Sequence, residues 1–531
     1  MSVKSKSKQN EIDEGFPATA TLDEAMLITG CGSYNLLHML LSGVVLMGVI
    51  MQTLALGYVM PAAQCDLHLT LQQRGMLAAI PFAAIIVTSY FWGYLADTRG
   101  RRGVMLVSML ASVLLAVLSS FAPNLSSFAA LQFLSAVFLS GPTAIVYTFL
   151  GEVHHLRCRD KMVAFGSSFV GIGTVVLPGI SWLVLPLEFA TYIPFLDIYY
   201  RPWRLLVVAC TIPFTVGSIF LYLSPESPKF LAAAGRSEEC VQVLKKIYAV
   251  NKWKSQDSYP VKTLTYEGPA PEENKKTGVM AVLQSMKSQT LPLFKTPLVP
   301  WTCLICFVQF GIFATTNGFY IWFPTILNSL ANHNGAELGI CDVLEASKHH
   351  TEKSNSTLGP ILCDDTLNTE TFERSIYIGL IFCSMYIIVG FLVDFVGKKT
   401  ILIVVLTVTG LCGIGAHLAP TQQLGVILFA IFQMSGACIG LMNAAAVEIF
   451  PTRYRGMAVC LSMMSGRLGS VAGSNVIGWL LEDRCGAGFY LFGGIIILCA
   501  ILCFTLPARQ KTEPAKKVSL NHTQNQTHEP V

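Results

Sequence analysis

The stretch Gly-Tyr-Leu-Ala-Asp-Thr-Arg-Gly-Arg-Arg, from Gly93 to Arg102, decides the fold because the chain contains it twice. The second copy reads Gly-Phe-Leu-Val-Asp-Phe-Val-Gly-Lys-Lys, from Gly390 to Lys399. The two glycines, the leucine, the aspartate and the two basic residues recur at a constant offset of 297 residues, which is 390 minus 93. We refer to these two stretches as the charged boxes.

A second repeated signal follows each charged box at almost the same distance. It consists of a glutamate and two arginines, namely Glu152, Arg157 and Arg159 in the first copy and Glu448, Arg453 and Arg455 in the second. The offset between the glutamates is 296, which is 448 minus 152. Two separate signals thus indicate one duplication of about half the chain. Each charged box lies between long apolar segments, which predicts a short loop at a membrane surface.

The composition is that of a membrane protein. Hydrophobic residues make up 53% of the chain and charged residues 13%, whereas soluble proteins are about 45–50% apolar and about 25% charged. We therefore expect a lipid bilayer to be the main solvent. The formal net charge is +4 and no uniform basic face is present, so there is no electrostatic case for a nucleic-acid partner.

Sixteen cysteines raise the question of a disulfide framework or a metal site. Most of them lie inside apolar runs and are expected to be buried free thiols. No repeated Cys-x-x-Cys motif and no His-Glu-x-x-His motif occurs, so no metal or other cofactor is predicted. A phosphate-binding loop with its second glycine at Gly397 would need glycine five residues earlier, where Leu392 stands. Neither an ATP-driven pump nor an enzyme is supported by a motif.

Hydropathy divides the chain into two sets of six apolar runs. Most runs have about 18–25 residues, enough to cross a hydrocarbon core of about 30 Å as a helix. Those of the N-terminal half (35–223) lie near 36–60, 77–96, 104–122, 126–150, 162–186 and 205–223. Those of the C-terminal half (298–507) lie near 298–326, 376–394, 401–418, 424–447, 457–481 and 489–506. The predicted fold is an all-α membrane protein with twelve transmembrane helices in two six-helix halves.

Polar segments flank and separate the halves. They are an N-terminal tail (1–34) without the apolar core of a cleavable signal, a linker (224–297) with an amphipathic patch, and a C-terminal tail (508–531). Assigning the tails and even-numbered loops to the cytoplasm places 28 of the 36 Lys and Arg residues there, seven outside and one, Arg467, within a span. By the positive-inside rule, both termini are predicted to be cytoplasmic.

The loop 327–375 is predicted to face the cell exterior or an organelle lumen. It contains Cys341 and Cys363, for which a disulfide is chemically sensible on that side of a membrane. It also contains the sequon Asn355-Ser356-Thr357, which makes Asn355 a candidate for N-glycosylation.

The charged boxes resemble the signature loop of the major facilitator superfamily. Residues 225–229 (Pro-Glu-Ser-Pro-Lys) and 448–453 (Glu-Ile-Phe-Pro-Thr-Arg) resemble motifs of its sugar and organic-ion branch. Within that branch, residues 142–152 and 318–324 are similar to the synaptic vesicle glycoprotein 2 family of transporter-like proteins. The resemblance covers residues 25–507, but the long lumenal loop expected of the neuronal members is much shorter here.

The resemblance implies alternating access by two homologous halves, with a solute site near the membrane midplane. It also implies a cytoplasmic gate network that holds the outward-open state. This network comprises Asp97, Arg101, Arg102, Glu152, Arg157, Arg159, Asp394, Lys398, Lys399, Glu448, Arg453 and Arg455. An alternative is that the basic residues, Arg99 and Arg102 above all, only anchor the topology.

Arg467 is predicted to lie near the centre of the eleventh span, where an arginine costs about 2.5–3.5 kcal/mol. A cost of that size needs a compensating role. One interpretation is that Arg467 faces the central cavity and attracts a carboxylate or another anionic group of a solute. The other is that Arg467 is a structural hydrogen-bond partner between helices.

Further polar side chains of the C-terminal half are candidates for solute binding. They are Gln309, Asn317, Tyr320 and Trp322 in the seventh span, Asn443 in the tenth and Asn475 in the eleventh. Intramembrane amides and aromatic side chains also join helices or anchor them at the membrane interface. Either role is open for each of these six residues.

No Asp or Glu lies near the middle of any predicted span. A proton-coupled transporter commonly keeps a titratable group in its path, so facilitated diffusion or exchange is favoured. The predicted function is secondary transport of a small organic solute, with organic anions as one candidate class, by a monomer in the plasma membrane or an intracellular vesicle membrane. The alternative is a transporter-like vesicle protein that acts as a binding or regulatory component without net transport.

Overall fold

The computed structural model describes residues 19–265, 287–288, 290–332, 339–344, 366–451 and 454–507. Within these ranges, long helices dominate and the short strands form two two-stranded sheets. The predicted glycosylation site Asn355 and the cysteine Cys363 lie outside the described residues.

Twelve long helical segments, called spans 1 to 12, form the body of the part of the chain that the structure describes. The N-terminal half consists of span 1 (Ser33–Leu54, continued by Leu56–Ala62), span 2 (Leu71–Arg99), span 3 (Arg101–Ser119), span 4 (Leu125–Glu152), span 5 (Leu156–Val184) and span 6 (Pro202–Ala209, continued by Ile212–Leu223). The C-terminal half consists of span 7 (Val299–Ala331), span 8 (Thr369–Val396), span 9 (Lys398–Leu418), span 10 (Gln422–Gln433 and Cys438–Ile449, joined by the 3-10 turn Met434–Ala437), span 11 (Arg455–Asp483) and span 12 (Cys485–Cys503).

The remaining elements are short and lie at the two ends of the bundle. They are helices α1 (Leu22–Thr29), α2 (Pro228–Ala233) and α3 (Ser237–Lys252), the four-residue helix Gln64–Leu67, the 3-10 turns Gln256–Ser258 and Leu291–Phe294, and strands β1 (Thr19–Thr21), β2 (Thr191–Ile193), β3 (Ile198–Tyr200) and β4 (Thr263–Thr265). Strand β1 pairs with β4 in parallel, and β2 pairs with β3 as an antiparallel hairpin.

Eleven of the described helical segments are long and apolar enough to cross a membrane. Span 11 is the twelfth long helix, with 29 residues. It is less apolar than the others because it contains several glycines and serines as well as Arg467. Small residues of this kind let neighbouring helices approach closely, and span 11 packs against both span 2 and span 7.

Local sequence sets where consecutive spans begin and end. Thr70 and Gln73 form a capping box at the start of span 2, in which the Thr70 hydroxyl accepts the Gln73 amide at 3.3 Å. Gly100 separates spans 2 and 3 with φ +103°, and Gly397 separates spans 8 and 9 with φ +87°. Glycine adopts this left-handed region readily because it has no Cβ. The last glycine of each charged box therefore makes the turn between two consecutive spans.

The two halves meet through antiparallel pairs of spans, and the pair formed by spans 2 and 11 shows the relative direction. A Cβ at Gly75, near the start of span 2, would lie 3.1 Å from Oδ1 of Asn475, near the end of span 11. Tyr90, near the end of span 2, is within electrostatic range of Cys460, near the start of span 11. Span 11 thus begins at the end of the bundle where span 2 and the first charged box end.

The second charged box lies at that same end. Its Lys398 pairs with Glu448, which is at the end of span 10, directly before span 11 begins. We call this end of the bundle the box end, and the other the opposite end. Both copies of the repeat therefore point in the same direction, as a parallel duplication requires.

A small layer with its own apolar core covers the box end of the N-terminal half. Helix α1 packs against α3, burying Met26 against residues such as Leu244 and Ile247. Asn251 of α3 binds the turn after α1, because its Nδ2 donates to Thr29 O at 3.2 Å and its Oδ1 accepts the Tyr34 amide at 3.0 Å. Residues 19–32 are thereby joined to the segment that follows span 6.

The opposite end holds an ion cluster that explains why two arginines occur on that side. Arg204 is 2% exposed and donates to the carbonyls of Ser120 and Ala122, at the end of span 3, at 2.9 and 2.8 Å. It also pairs with Asp66 at 3.3 Å, and Arg201 approaches the same carboxylate at 3.6 Å. The cluster ties the ends of spans 1 and 3 to the start of span 6.

The predicted disulfide between Cys341 and Cys363 is wrong. Cys341 is bonded to Cys485, the first residue of span 12, 144 positions further along the chain. The bond fastens the loop between spans 7 and 8 to the start of span 12 at the opposite end. Cys65, after span 1, is also disulfide-bonded, whereas the free cysteines include Cys210 and Cys499, buried among the spans as predicted.

Candidate functional site

Arg101 is the centre of an ion cluster in the first charged box. Its guanidinium lies 2.9 Å from the Asp97 carboxylate and 3.0 Å from that of Glu152, and its Nη1 donates to Ala96 O at 3.2 Å. The side chains of Arg101 and Glu152 are only 13% and 15% exposed. The Nε contact with Glu152 is an ion pair rather than an aligned hydrogen bond. This pair joins the start of span 3 to the end of span 4.

Glu226 belongs to the same cluster, and the sequence analysis did not single it out as a site residue. Its carboxylate accepts hydrogen bonds from the amides of Arg101 and Arg102, both at 3.0 Å, so it caps the start of span 3. A negative charge is favourable there because the first amides of a helix lack partners within the helix. The signal was present in the Pro-Glu-Ser-Pro-Lys motif at 225–229.

Ser227 connects Glu226 to the rest of the cluster. Its hydroxyl donates to Glu152 at 2.6 Å and accepts the Phe230 amide at 3.2 Å, which starts helix α2. A Cβ at Gly100 would lie 2.5 Å from the Glu226 carboxylate. Glycine is thus needed at position 100 both because φ is positive and because the Glu226 carboxylate leaves no room for a Cβ.

Arg102 closes the cluster on the side of span 6. It donates to the carbonyl of Leu221 at 3.1 Å and to that of Tyr222, at the end of span 6, where carbonyls lack partners within the helix. Arg102 thus makes specific contacts in addition to any role in membrane topology.

The second charged box repeats this arrangement with lysines. Lys398 pairs with Glu448 at 2.5 Å, as Arg101 pairs with Glu152. Lys399 donates to the carbonyls of Phe504 and Leu506, just after span 12, at 2.7 and 2.5 Å. The side chains of Lys398 and Glu448 are 30% and 52% exposed, so this ion pair is more open to solvent than that of the first half.

The remaining members of the predicted gate network are only partly described. Arg159 is exposed and packs against the end of span 4, where a Cβ at Gly151 would lie 3.2 Å from its Nε. The side chains of Arg157, Asp394, Arg453 and Arg455 lie outside the part of the structure that is described.

Arg467 lies at the interface between the two halves. It shares one stripe of span 11 with Cys460, Val471 and Asn475, because these positions recur at helical spacing. Asn475 lies against the start of span 2 and Val471 packs against the apolar core of the N-terminal half. Arg467 is therefore halfway along the contact with span 2, about 12 Å from Asn475 at 1.5 Å per residue.

The Arg467 side chain is buried, at 9% exposed, without a compensating carboxylate. Among the described residues, no ion pair or hydrogen bond holds its guanidinium. An unpaired charge in such a place is costly, whereas a structural arginine is normally paired or bound to carbonyls. The interpretation of Arg467 as a hydrogen-bond partner between helices thus has no contact to support it within the described chain.

Asn317 and Tyr320 of span 7 face the same interface. They are the two half-buried residues between Gly311 and Pro324, where every other residue is buried. Asn317 donates to Ser470 Oγ of span 11 at 3.0 Å. The Tyr320 hydroxyl reaches Thr174 O of span 5 at 3.4 Å, across the boundary between the halves.

Three other predicted site residues lie inside the C-terminal half. Gln309, fully buried, donates to Asn443 at 3.3 Å and to the Met463 sulfur at 3.5 Å, which joins spans 7, 10 and 11. Trp322 is 1% exposed and donates to Ser474 O at 2.8 Å. These contacts are those of side chains that hold helices together.

Arg74 is a second buried cation; it precedes the predicted second run, 77–96, and is one of the seven basic residues that the charge count placed outside. It lies in the first turn of span 2, is 4% exposed, and has a buried Nε without a hydrogen-bond partner. The next residue, Gly75, contacts span 11. The sequence signal was an arginine directly before a long apolar run, which the charge count treated as part of a loop.

A family model described as Major Facilitator Superfamily matches residues 40–341 and 375–527. The chain belongs to the major facilitator superfamily. The predicted fold class, an all-α membrane protein of two six-helix halves, is confirmed, and the protein is an integral, multi-pass membrane protein of this superfamily.

This chain spans less than half the length of the curated relatives that it matches. Synaptic vesicle glycoprotein 2A of Rattus norvegicus is 27% identical over 307 residues, which are 54% of this chain and 41% of the relative. Synaptic vesicle glycoprotein 2C of Mus musculus is 28% identical over 222 residues, which are 42% of this chain and 30% of the relative. The predicted resemblance to this family is confirmed, although the match spans less than half of each relative.

Solved structures of major facilitator superfamily members share the fold. The inward-open conformation of the xylose transporter XylE from E. coli superposes with a TM-score of 0.64 at 14% identity, covering 90% of this chain and 98% of that one. Its partially occluded inward-open conformation gives a TM-score of 0.63 at 14% identity, covering 90% and 100%. At this identity the likeness concerns the fold alone.

Proposed function

We propose that this protein is a secondary transporter of a small organic anion that works by alternating access as a monomer. The observation that carries the proposal is Arg467, a cation buried between the halves and without a partner among the described residues. The site in major facilitator folds lies between the halves near the midplane. A carboxylate or similar group of the solute would supply the missing counter-charge.

The contacts around Arg467 fit a site for a small solute with one anionic group. The Asn317 amide and the Tyr320 hydroxyl lie at the same interface. Such groups donate to carboxylate oxygens and fix the orientation of a ligand. The Asn475 Nδ2 instead donates to Val471 O of its own helix at 2.8 Å. Arg74 supplies a second buried positive charge toward the opposite end of span 2.

The charged boxes support rigid-body movement of the halves. The described side-chain contacts of Arg101, Arg102, Lys398 and Lys399 stay within one half, apart from that of Arg101 with Phe230 of helix α2, and none joins the two halves. Each half is thus braced at the box end without a described ion pair across the boundary. In the proposed cycle, the boxes keep each half intact while the halves rock around the Arg467 site.

Facilitated diffusion or exchange is the proposed transport mode. The acidic residues of the spans occur only near their ends, such as Asp97, Glu152 and Glu448. No carboxylate is thus available near the midplane to bind and release a coupling proton.

The box end is proposed to face the cytoplasm, with both termini on that side. This orientation follows from the excess of Lys and Arg in the segments that the structure joins at the box end. The proposed location is the plasma membrane or an intracellular vesicle membrane.

The test is uptake by purified protein in liposomes, offered mixtures of labelled or mass-coded organic anions, cations and neutral solutes. We expect uptake of one or more anions. Uptake by Arg467→Gln should be at least about tenfold slower, because a desolvated contact between the guanidinium and the anionic group contributes more than about 1.4 kcal/mol. Arg484→Gln, an exposed arginine just after the same span, is the control and should transport at the wild-type rate. Uptake that is confined to neutral or cationic solutes, or unchanged in Arg467→Gln, would remove the anion proposal.

The similarity to synaptic vesicle glycoproteins favours a second candidate, a vesicle membrane component without net transport. The same liposomes distinguish the two. Thermal stabilisation by an organic anion, abolished in Arg467→Gln, would show binding. If the protein binds the anion in this way but neither accumulates nor exchanges it, it is a binding component. Uptake that collapses when a pH gradient is dissipated would instead contradict the uncoupled mode.

A further inference from the structure

Two thiols and an imidazole meet at the box end, outside the interface discussed above. Cys31 lies in the turn between α1 and span 1, His155 directly precedes span 5, and Cys158 lies in the first turn of span 5. One potential ligand atom from each residue lies within 4.8 Å of the others. Metal–ligand distances of about 2.0–2.3 Å place the ligands of one tetrahedral ion about 3.3–3.8 Å apart, which lies within this limit.

We propose that Cys31, His155 and Cys158 bind a Zn²⁺ ion that fastens the turn after α1 to the start of span 5. Two sulfur ligands and one imidazole nitrogen form a soft to borderline set, which suits Zn²⁺ and not Mg²⁺ or Ca²⁺. A water molecule completes the tetrahedron. The sequence scan for paired cysteine motifs missed this set because Cys31 is 127 positions from Cys158 (158 minus 31).

The turn that carries Cys31 is held from both sides. Gly30 has φ +69°, which favours glycine. Gly32 lies so close to Asn251 of α3 that a Cβ would be 3.0 Å from its backbone. Asn251 also donates to Gly30 O at 3.3 Å. Cys31 is thus pre-positioned by the layer at the box end before any ion binds.

The other two ligands are fixed by the start of span 5. The Cys158 amide donates to His155 O at 3.1 Å, so one helical turn sets the distance between the two residues. The preceding His154 is engaged elsewhere, with its Nδ1 2.6 Å from Leu150 O. The first amides of this 29-residue helix would stabilise the negative charge of a metal-bound Cys158 sulfur.

The charge balance favours a divalent ion. Two cysteine ligands can supply two negative charges to a Zn²⁺ ion as thiolates. Binding of Zn²⁺ releases one proton from each thiol to solvent and leaves two thiolates, one neutral imidazole and one dication. The occupied site has no net charge, which suits a partly buried position.

The experiment uses the full chain, purified in detergent with a phosphine reductant, stripped with a chelator and titrated with ZnCl₂ or CoCl₂. Metal content is measured by mass spectrometry, and the Co²⁺ spectrum reports thiolate ligation. We expect one tightly bound equivalent, and an affinity at least about 100-fold weaker in Cys31→Ser, Cys158→Ser and His155→Asn. Cys303→Ser, an exposed cysteine of span 7, is the matched control and should bind like the wild type.

A second measurement tests the fastening role. Zn²⁺ should reduce hydrogen exchange in residues 22–32 of the wild type and of Cys303→Ser, but not of Cys31→Ser. Cys31 is exposed, so its serine variant is expected to fold even where Cys158→Ser does not. Equal Zn²⁺ affinity in Cys31→Ser and wild type would overturn the proposal. So would a Cys31–Cys158 disulfide that persists in the reduced, Zn²⁺-treated protein.

Discussion

Arg101 and Lys398, which occupy equivalent positions 297 residues apart, each pair with the glutamate at the end of the following span. The next residue of each box, Arg102 or Lys399, donates to carbonyls at the end of the sixth span of its half. The duplication thus extends from sequence to individual contacts. The two copies differ in exposure, and that difference has measurable consequences.

The ion pair of the first half should contribute more to stability than that of the second. Double-mutant cycles with Arg101→Gln and Glu152→Gln should give a coupling free energy of about 1–3 kcal/mol, because both side chains are largely buried. The cycle with Lys398→Gln and Glu448→Gln should give less than about 1 kcal/mol, because its side chains are more exposed. Denaturant titrations in mixed micelles measure both, and equal couplings would contradict this ranking.

Gly100→Ala should destabilise the protein by about 1–3 kcal/mol. The alanine Cβ would be 2.5 Å from the Glu226 carboxylate, at a φ of +103° that alanine rarely adopts. Gly103→Ala, three residues later and with open space around it, is the matched control and should be neutral or stabilise by up to about 1 kcal/mol. Thermal unfolding in detergent compares the two variants, and a similar loss in both would show that the Glu226 contact is unimportant.

Much of the fold could be predicted because its signals are local or repeated. The apolar runs predicted the spans, and the constant offset between the charged boxes predicted the two halves. The set of charged residues around each box followed from the resemblance to a known family. Arg467 stood out because a charge inside an apolar run is costly wherever the helix packs.

Other features depend on contacts that sequence spacing does not encode. Cys341 bonds with Cys485 rather than a cysteine of its own loop, because spans 7 and 12 bring the two together across 144 residues. Trp322 looked like a ligand-binding aromatic residue, yet helix packing places it in the core. Arg74 counted as a loop residue because a helix start cannot be located to within one turn by hydropathy alone.

The Cys341–Cys485 bond should be detectable and stabilising. Non-reducing peptide mapping should recover these two cysteines in one cross-linked peptide pair. Cys485→Ser should lower the free energy of unfolding by about 2–5 kcal/mol, because the bond closes a long loop in the unfolded chain. Cys303→Ser is the control with no expected effect. Recovery of a Cys341–Cys363 peptide pair instead would contradict the structure.

The two ends of the bundle should be on different sides of the membrane. An epitope inserted in the β2–β3 turn next to Phe195, which is 94% exposed, should be detected on intact cells or sealed vesicles of known orientation. The same epitope inserted at Gly235, between α2 and α3 at the box end, should be detected only after permeabilisation. The reverse pattern would invert the proposed orientation, and detection of both would contradict the fold.

Asn317 and Trp322, on the same span, should differ in their access to water. Asn317 is half-buried at the boundary between the halves, whereas Trp322 is 1% exposed in the core of its half. Asn317→Cys should therefore react with a water-soluble maleimide in the folded protein, and a co-purified or added organic anion should slow the reaction. Trp322→Cys should not react and should lose several kcal/mol of stability, because a large core side chain is removed and the Ser474 carbonyl loses its donor. Peptide-level mass spectrometry separates these sites from the native cysteines, and equal labelling of the two positions would show that Asn317 does not line a water-accessible cavity.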